Sequence, residues 1–114
     1  MEVITYNDGV LHFVEVKGEL DASSAIKLDY VLQQALDAGY KKILVNFEQL
    51  HYISSPGIGV FTSKLEDCQK NNVSLVLFGM NNNVFNVFKI LGLDQLLTIV
   101  TTEEQAKTKA HDNL

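Results

Sequence analysis

The sequence predicts an α/β fold: a mixed four- to five-stranded sheet that opens with an N-terminal β-hairpin and carries three to four helices packed mainly on one face. Three observations lead there. Apolar periodicity switches along the chain between strand-like and helix-like in the order β-β-α-β-α-β-α-β, and such alternation favours parallel strands joined by right-handed helical crossovers. Two short runs, Ile43–Phe47 and Val73–Phe78, are too apolar for exposed edges and suit strands buried on both faces. The chain has 114 residues, of which 46% are hydrophobic and 20% charged, which suits one globular domain over residues 1–114 rather than a disordered or fibrous protein.

Val3–Tyr6 and Val10–Lys17 are rich in β-branched and aromatic residues and flank the turn signal Asn7-Asp8-Gly9, which predicts the hairpin. Beyond Gly18, Ala22, Ala25, Leu28, Leu32, Ala35 and Leu36 recur at three- and four-residue steps, an amphipathic helix with Asp21 or Ser23 as N-cap and Gly39 as its stop. Ile43–Phe47 then forms a central strand. A second helix starts at Pro56 with Ile58, Phe61, Leu65 and Cys68 on its apolar stripe, Lys64, Asp67 and Lys70 elsewhere, and Asn71-Asn72 at its end. Val73–Phe78 is the next strand, and Val84, Val87, Phe88 and Leu91 form a third helical stripe that stops at Gly92. Leu96–Val100 is the last strand. The remainder, residues 101–114, is polar enough that a terminal helix over Thr102–Ala110 is expected to fray.

Charge and composition exclude several functions. The net charge is −5 and all nine basic residues are lysine, so there is neither a basic field nor a guanidinium to recognise nucleic acid. Cys68 is the only cysteine, and together with His12, His51 and His111 it makes no metal-ligand spacing. Acids stand near the N-terminus where a signal peptide would carry lysines, and no apolar run is long enough to span a bilayer, so a cytoplasmic protein without membrane insertion is expected. No phosphate loop, dinucleotide fingerprint or nucleophile elbow occurs, and the histidines fall in a strand, a loop and the tail. No catalytic residue, metal ligand or cofactor is therefore assigned, and the protein is expected not to be an enzyme.

One segment stands apart: Ser54-Ser55-Pro56-Gly57-Ile58-Gly59, where the central strand passes through a turn into a helix start. Proline suits the first helical position and disfavours helical geometry in the residue before it, which predicts Ser55 as N-cap and Pro56 as the first helical residue. Two readings follow from these residues. Either the segment is simply a capped helix start, or Ser55 is a phosphoacceptor placed where free N–H groups and the helix dipole favour added negative charge. In the second reading Gly57 and Gly59 clear the approach of a protein partner, so Gly57→Arg should abolish binding while leaving the thermal midpoint within a few degrees.

At this segment the chain resembles the STAS family, the anti-sigma factor antagonists, whose hallmark is an Asp-Ser-Ser/Thr-Gly-Leu-Gly stretch between a buried strand and a helix. Gly18-Glu19-Leu20-Asp21 is similar to the family's Gly-x-Leu-Asp, Ile43–Phe47 to its strand before the phosphorylation loop, and Ile90-Leu91-Gly92-Leu93 to the end of its third helix. The likeness runs from about Val3 to Val100. It implies the STAS fold and a non-enzymatic cytoplasmic regulator that binds an anti-sigma factor serine kinase and thereby releases a sigma factor. Phosphorylation of the acceptor serine ends the interaction, and a serine phosphatase reverses it. The family's acceptor falls on Ser55, its preceding aspartate on Ser54, its second hydroxyl on Pro56 and its glycines on Gly57 and Gly59; the implied partner surface is Asp21, Ser54, Ser55, Pro56, Gly57 and Gly59. Ser54 removes a charge beside the acceptor and Pro56 stiffens the loop. The alternatives are a STAS interaction module that is not phosphorylated, or a lipid-transport-associated STAS subunit.

Overall fold

The computed structural model describes residues 1–112. Its strands are β1 (Glu2–Asp8), β2 (Leu11–Leu20), β3 (Lys42–Ile53), β4 (Ser74–Phe78) and β5 (Thr98–Val100), and its helices are α1 (Ala22–Asp37), α2 (Ser55–Lys70), α3 (Asn82–Ile90) and α4 (Glu103–Asp112). The five strands form one sheet in sequence order, with β1 antiparallel to β2 and every later neighbour parallel. The hairpin turns at Gly9, whose φ of +61° is a conformation glycine adopts without a side-chain penalty. Gly39, at φ +87°, ends α1 in the same way.

Strand alternation divides the apolar residues between the two faces. Val14, Val16, Ile43, Val45, Phe47, Leu75 and Leu77 point to the face covered by α1, α2 and α3, where Leu28, Leu32, Ile58, Phe61, Val84 and Phe88 complete the main core. Phe47, Phe61 and Phe88 form an aromatic triad with ring centroids 5.2, 6.1 and 6.3 Å apart, joining β3, α2 and α3. Ile58 and Phe61 are buried as the stripe predicts, and Leu65 is partly buried.

Two features differ from the sequence reading. First, the terminal helix is packed rather than free: α4 lies on the opposite face of the sheet, where Ala106 and Ala110 are fully buried against Leu11, Phe13, Leu44, Val76 and Phe78. Two alanines suffice because small side chains let the helix approach the sheet closely. The helix start is held by a reciprocal cap, in which Thr102 Oγ1 accepts from the Gln105 N–H and Gln105 Oε1 accepts from the N–H groups of Thr101 and Thr102. Near its end, the buried Lys42 ammonium donates to His111 Nδ1 at 3.0 Å. The helices therefore cover both faces, three against one, and residues 113 and 114 lie outside the described residues. Second, β3 continues to Ile53, so Glu48–Tyr52, including His51, is strand rather than loop. β4 ends beside Asn46, but β2 continues to Leu20 and supplies the pairing partner for the extension.

His12 is buried against α1 and stacks on Tyr40, with ring centroids 4.2 Å apart. Asn7 Nδ2 donates to the Tyr40 hydroxyl, which leaves Asn7 Oδ1 to accept from His12 Nδ1 at 2.6 Å. Burial pushes the imidazole pKa below its ordinary value of 6.5. The unfolded chain therefore takes up the proton first as pH falls, and the stabilisation present above 6.5 is lost on acidification through and below that value. Thermal midpoints measured from pH 7 to about 5 should fall for the wild type, and His12→Gln should flatten the dependence. An unchanged slope in the variant would remove His12 as its source.

Candidate functional site: paired helix starts and the groove between them

β2 and β3 run parallel and end in register, Leu20 beside Ile53, so the residues that follow, Asp21 and Ser54, stand next to each other and begin two helices from one edge. The Ser54 N–H donates to the Leu20 carbonyl at 2.8 Å, extending the strand ladder by one bond. That bond holds Ser54 extended, at φ −93° and ψ 170°, and its Oγ accepts from the Gly57 N–H at 3.4 Å. The N-cap is therefore Ser54 and not Ser55: long-range pairing with β2 outweighs the local bias that proline imposes on the residue before it. Ser55 becomes the first helical residue and Pro56 the second, a position whose N–H has no intrahelical partner in any case.

Ser55 is exposed, and its hydroxyl has no hydrogen-bond partner among the described residues. Asp21 caps α1 in a capping box: Oδ1 accepts from the Ser24 N–H at 3.0 Å and from the Ser23 and Ser24 hydroxyls at 2.9 Å, while Ser24 Oγ accepts from the Asp21 N–H. The Ser24 N–H first, then these hydroxyls, hold its carboxyl down at about 2, so Asp21 is an exposed, ionised acid beside Ser54.

The two glycines of the segment play opposite parts. Gly57 is buried, and a Cβ there would stand 2.7 Å from Leu20 Cγ and 3.0 Å from Ile53 Cγ1. It lets α2 sit down on the ends of β2 and β3 and is not part of the exposed surface, which corrects its expected place among the contact residues. Gly59 is exposed with nothing within 4 Å of where a Cβ would be. A glycine in a helix interior costs about 0.5–1 kcal/mol relative to alanine, and no contact inside the protein requires this one.

Gly59 floors a groove of about 370 Å³ between α1 and α2, walled by Ala22, Ile26 and Asp29 on one side and Pro56, Val60 and Ser63 on the other. Ala22, assigned to the core stripe from its spacing, is exposed here. Ile26 and Tyr30, which the sequence reading passed over, project from α1 at 75% and 62% exposure; the signal for them was apolar residues off the helix's buried stripe. Lys64, placed outside the apolar stripe, is buried between the helices, donating to Gln33 Oε1 at 2.7 Å and lying 3.3 Å from Asp29 and 3.8 Å from Asp67.

The arrangement sets an exposed serine hydroxyl, Ser55, beside an open groove. Burial, with help from Asp67, pushes the Cys68 thiol up to about 11, so it is not a ready nucleophile. Among the described residues no group of three or more His, Cys, Asp or Glu side chains is placed to hold a metal ion, and no helix is long and apolar enough to cross a membrane.

The family model for the STAS domain matches residues 3–106. The chain belongs to the STAS domain family. The anti-sigma-B factor antagonist of Staphylococcus aureus is 29% identical to this STAS chain over 99 residues, covering 87% of this chain and 92% of the relative. Among solved structures, an anti-sigma factor antagonist from Mycobacterium paratuberculosis superposes with a TM-score of 0.90 at 16% identity, over 97% of this chain and 94% of the other. SpoIIAA of Bacillus in its phosphorylated form superposes with a TM-score of 0.73 at 21% identity, over 95% and 98% of the two chains. The five-stranded mixed sheet with its N-terminal hairpin is thus the STAS fold. Ser54 caps α2, a role that serine and aspartate can both fill.

Proposed function

We propose that this STAS protein is an anti-sigma factor antagonist: a non-enzymatic cytoplasmic regulator that binds an anti-sigma factor serine kinase through Asp21, Ser54, Ser55, Pro56 and Gly59, with Gly57 seating the helix beneath them. Phosphorylation of Ser55 ends the interaction and a serine phosphatase restores it. The observation that carries this reading is Ser55 itself, an exposed hydroxyl without a partner among the described residues on the first turn of a helix, in a chain whose curated relatives include anti-sigma-B factor antagonists. Phosphate adds about −1.5 to −2 charge at neutral pH, enough to reverse a docking preference without touching the core. The N-terminal end of α2 tolerates that charge, because free N–H groups and the dipole favour anions there.

Incubation with a recombinant anti-sigma factor kinase of the same organism and ATP tests the assignment. Ser55→Ala should lose phosphate incorporation. Ser54→Ala should keep it and lose only the cap, about 0.5–1 kcal/mol of stability. Ser54→Asp, which restores the family's acid, should raise the rate if that charge serves kinase recognition. Mass spectrometry that places phosphate on Ser54, or on neither serine with an active kinase, would sink the acceptor assignment. In the second case Pro56 favours the reading of a fixed, unphosphorylated docking surface, since it rigidifies the helix start without any modification.

A further inference from the structure

We infer that the groove between α1 and α2 is the second half of the docking surface, taking an apolar side chain from a basic helix of the anti-sigma partner, with Ile26 on its wall and Tyr30, one turn further along α1 and outside the groove itself, as anchors. The inference rests on the antagonist reading and adds to it a face of α1 that the Ser55 segment does not include. Ile26 and Tyr30 are one turn apart on α1, and both are more than half exposed. The other large apolar residues of α1 are buried or packed against the core, so these two serve nothing inside the protein. The Tyr30 hydroxyl is held by Gln34 Nε2 at 2.9 Å, which orients a rigid aromatic ring in water, the kind of side chain that dominates binding energy at interfaces.

The groove is continuous with the proposed acceptor site, since Pro56, next to Ser55, forms part of its wall. Its open floor exists only because residue 59 has no side chain. Charge selects the occupant. Asp21 stands ionised at the start of α1, and Asp29 is the one charged residue that lines the groove; the buried Lys64 ammonium beside it is shared with Asp67, so it offsets Asp29 only in part on a chain of net charge −5. A partner helix that presents one aliphatic side chain between lysines or arginines fits this surface. A second copy of the chain does not, because a two-fold contact would set two acidic rims against each other. The exposed Ile90, Leu91 and Leu96 lie outside the groove.

Calorimetry with the recombinant anti-sigma factor kinase tests the inference using the full-length protein and five variants. Ile26→Asp and Tyr30→Ala should each weaken binding at least tenfold with an unchanged thermal midpoint. Gly59→Leu should weaken binding while raising the midpoint, a combination that loss of structure cannot produce. Ile90→Asp should bind like the wild type, and Ser55→Asp should bind weakly. Wild-type affinity in the three groove variants, with Ser55→Asp still weak, would overturn the groove while leaving the antagonist reading intact. Full affinity in Ser55→Asp, or no binding by the wild type, would overturn the antagonist reading and the groove with it. Sedimentation that reveals a wild-type dimer dissolved by Tyr30→Ala would assign the groove to a second copy and overturn the partner named here.

Discussion

Phe61→Ala should cost about 3–5 kcal/mol, the range for truncating a fully buried phenylalanine. The side chain is wholly inaccessible and is one corner of the triad that ties α2 to β3 and α3, so its removal takes partners from two other rings at once. Relief by collapse is limited, because Phe47 and Phe88 are held on a central strand and a separate helix. Against a typical total stability of about 5–15 kcal/mol, the loss should lower the thermal midpoint by roughly 10–20 °C. Chemical denaturation with an unchanged m-value checks it. A cost below about 1 kcal/mol would mean that the triad does not join the helical layer to the sheet.

Gly57→Arg should be at least as damaging, and for a reason opposite to cavity formation. Any Cβ at this position meets Leu20 Cγ at 2.7 Å, and Leu20 is itself fully buried at the end of β2 and cannot yield. Even Gly57→Ala should cost about 1–3 kcal/mol through overpacking. Arginine adds a long charged chain with no space to occupy and should unseat the first turn of α2. Gly57→Arg therefore does not stay folded as the segment's spacing suggests, and loss of binding in that variant would report a lost helix seat. Gly59→Ala, two residues along the same helix, should instead stabilise by about 0.5–1 kcal/mol. Urea midpoints of the two alanine variants should move in opposite directions; a shift in the same direction would contradict the packing at Leu20.

The alternation of strands and helices, the buried stripe of α2 apart from Lys64, the burial of Val84 and Phe88 on α3, the two central strands and the position of the Ser54–Gly59 segment were readable from residue order, because periodicity, turn residues and motif spacing are local properties of the chain; Leu91, expected on the α3 stripe, is 57% exposed because the helix ends at Ile90. Tertiary structure alone decided the rest. The polar stretch Glu48–Tyr52 is a strand because β2 continues alongside it, and Ser54 rather than Ser55 is the cap because its N–H is claimed by Leu20, 34 positions earlier. α4 is polar enough to read as a fraying tail, yet two alanines four residues apart seat it on a face of the sheet assembled from β2, β3 and β4. Gly57 and Gly59 are the same residue in the same helix, and only the packing of Leu20 and Ile53 against one of them makes the first a structural necessity and the second an open floor. Each of these outcomes depends on groups far apart in sequence meeting within a few ångströms, which no periodicity encodes.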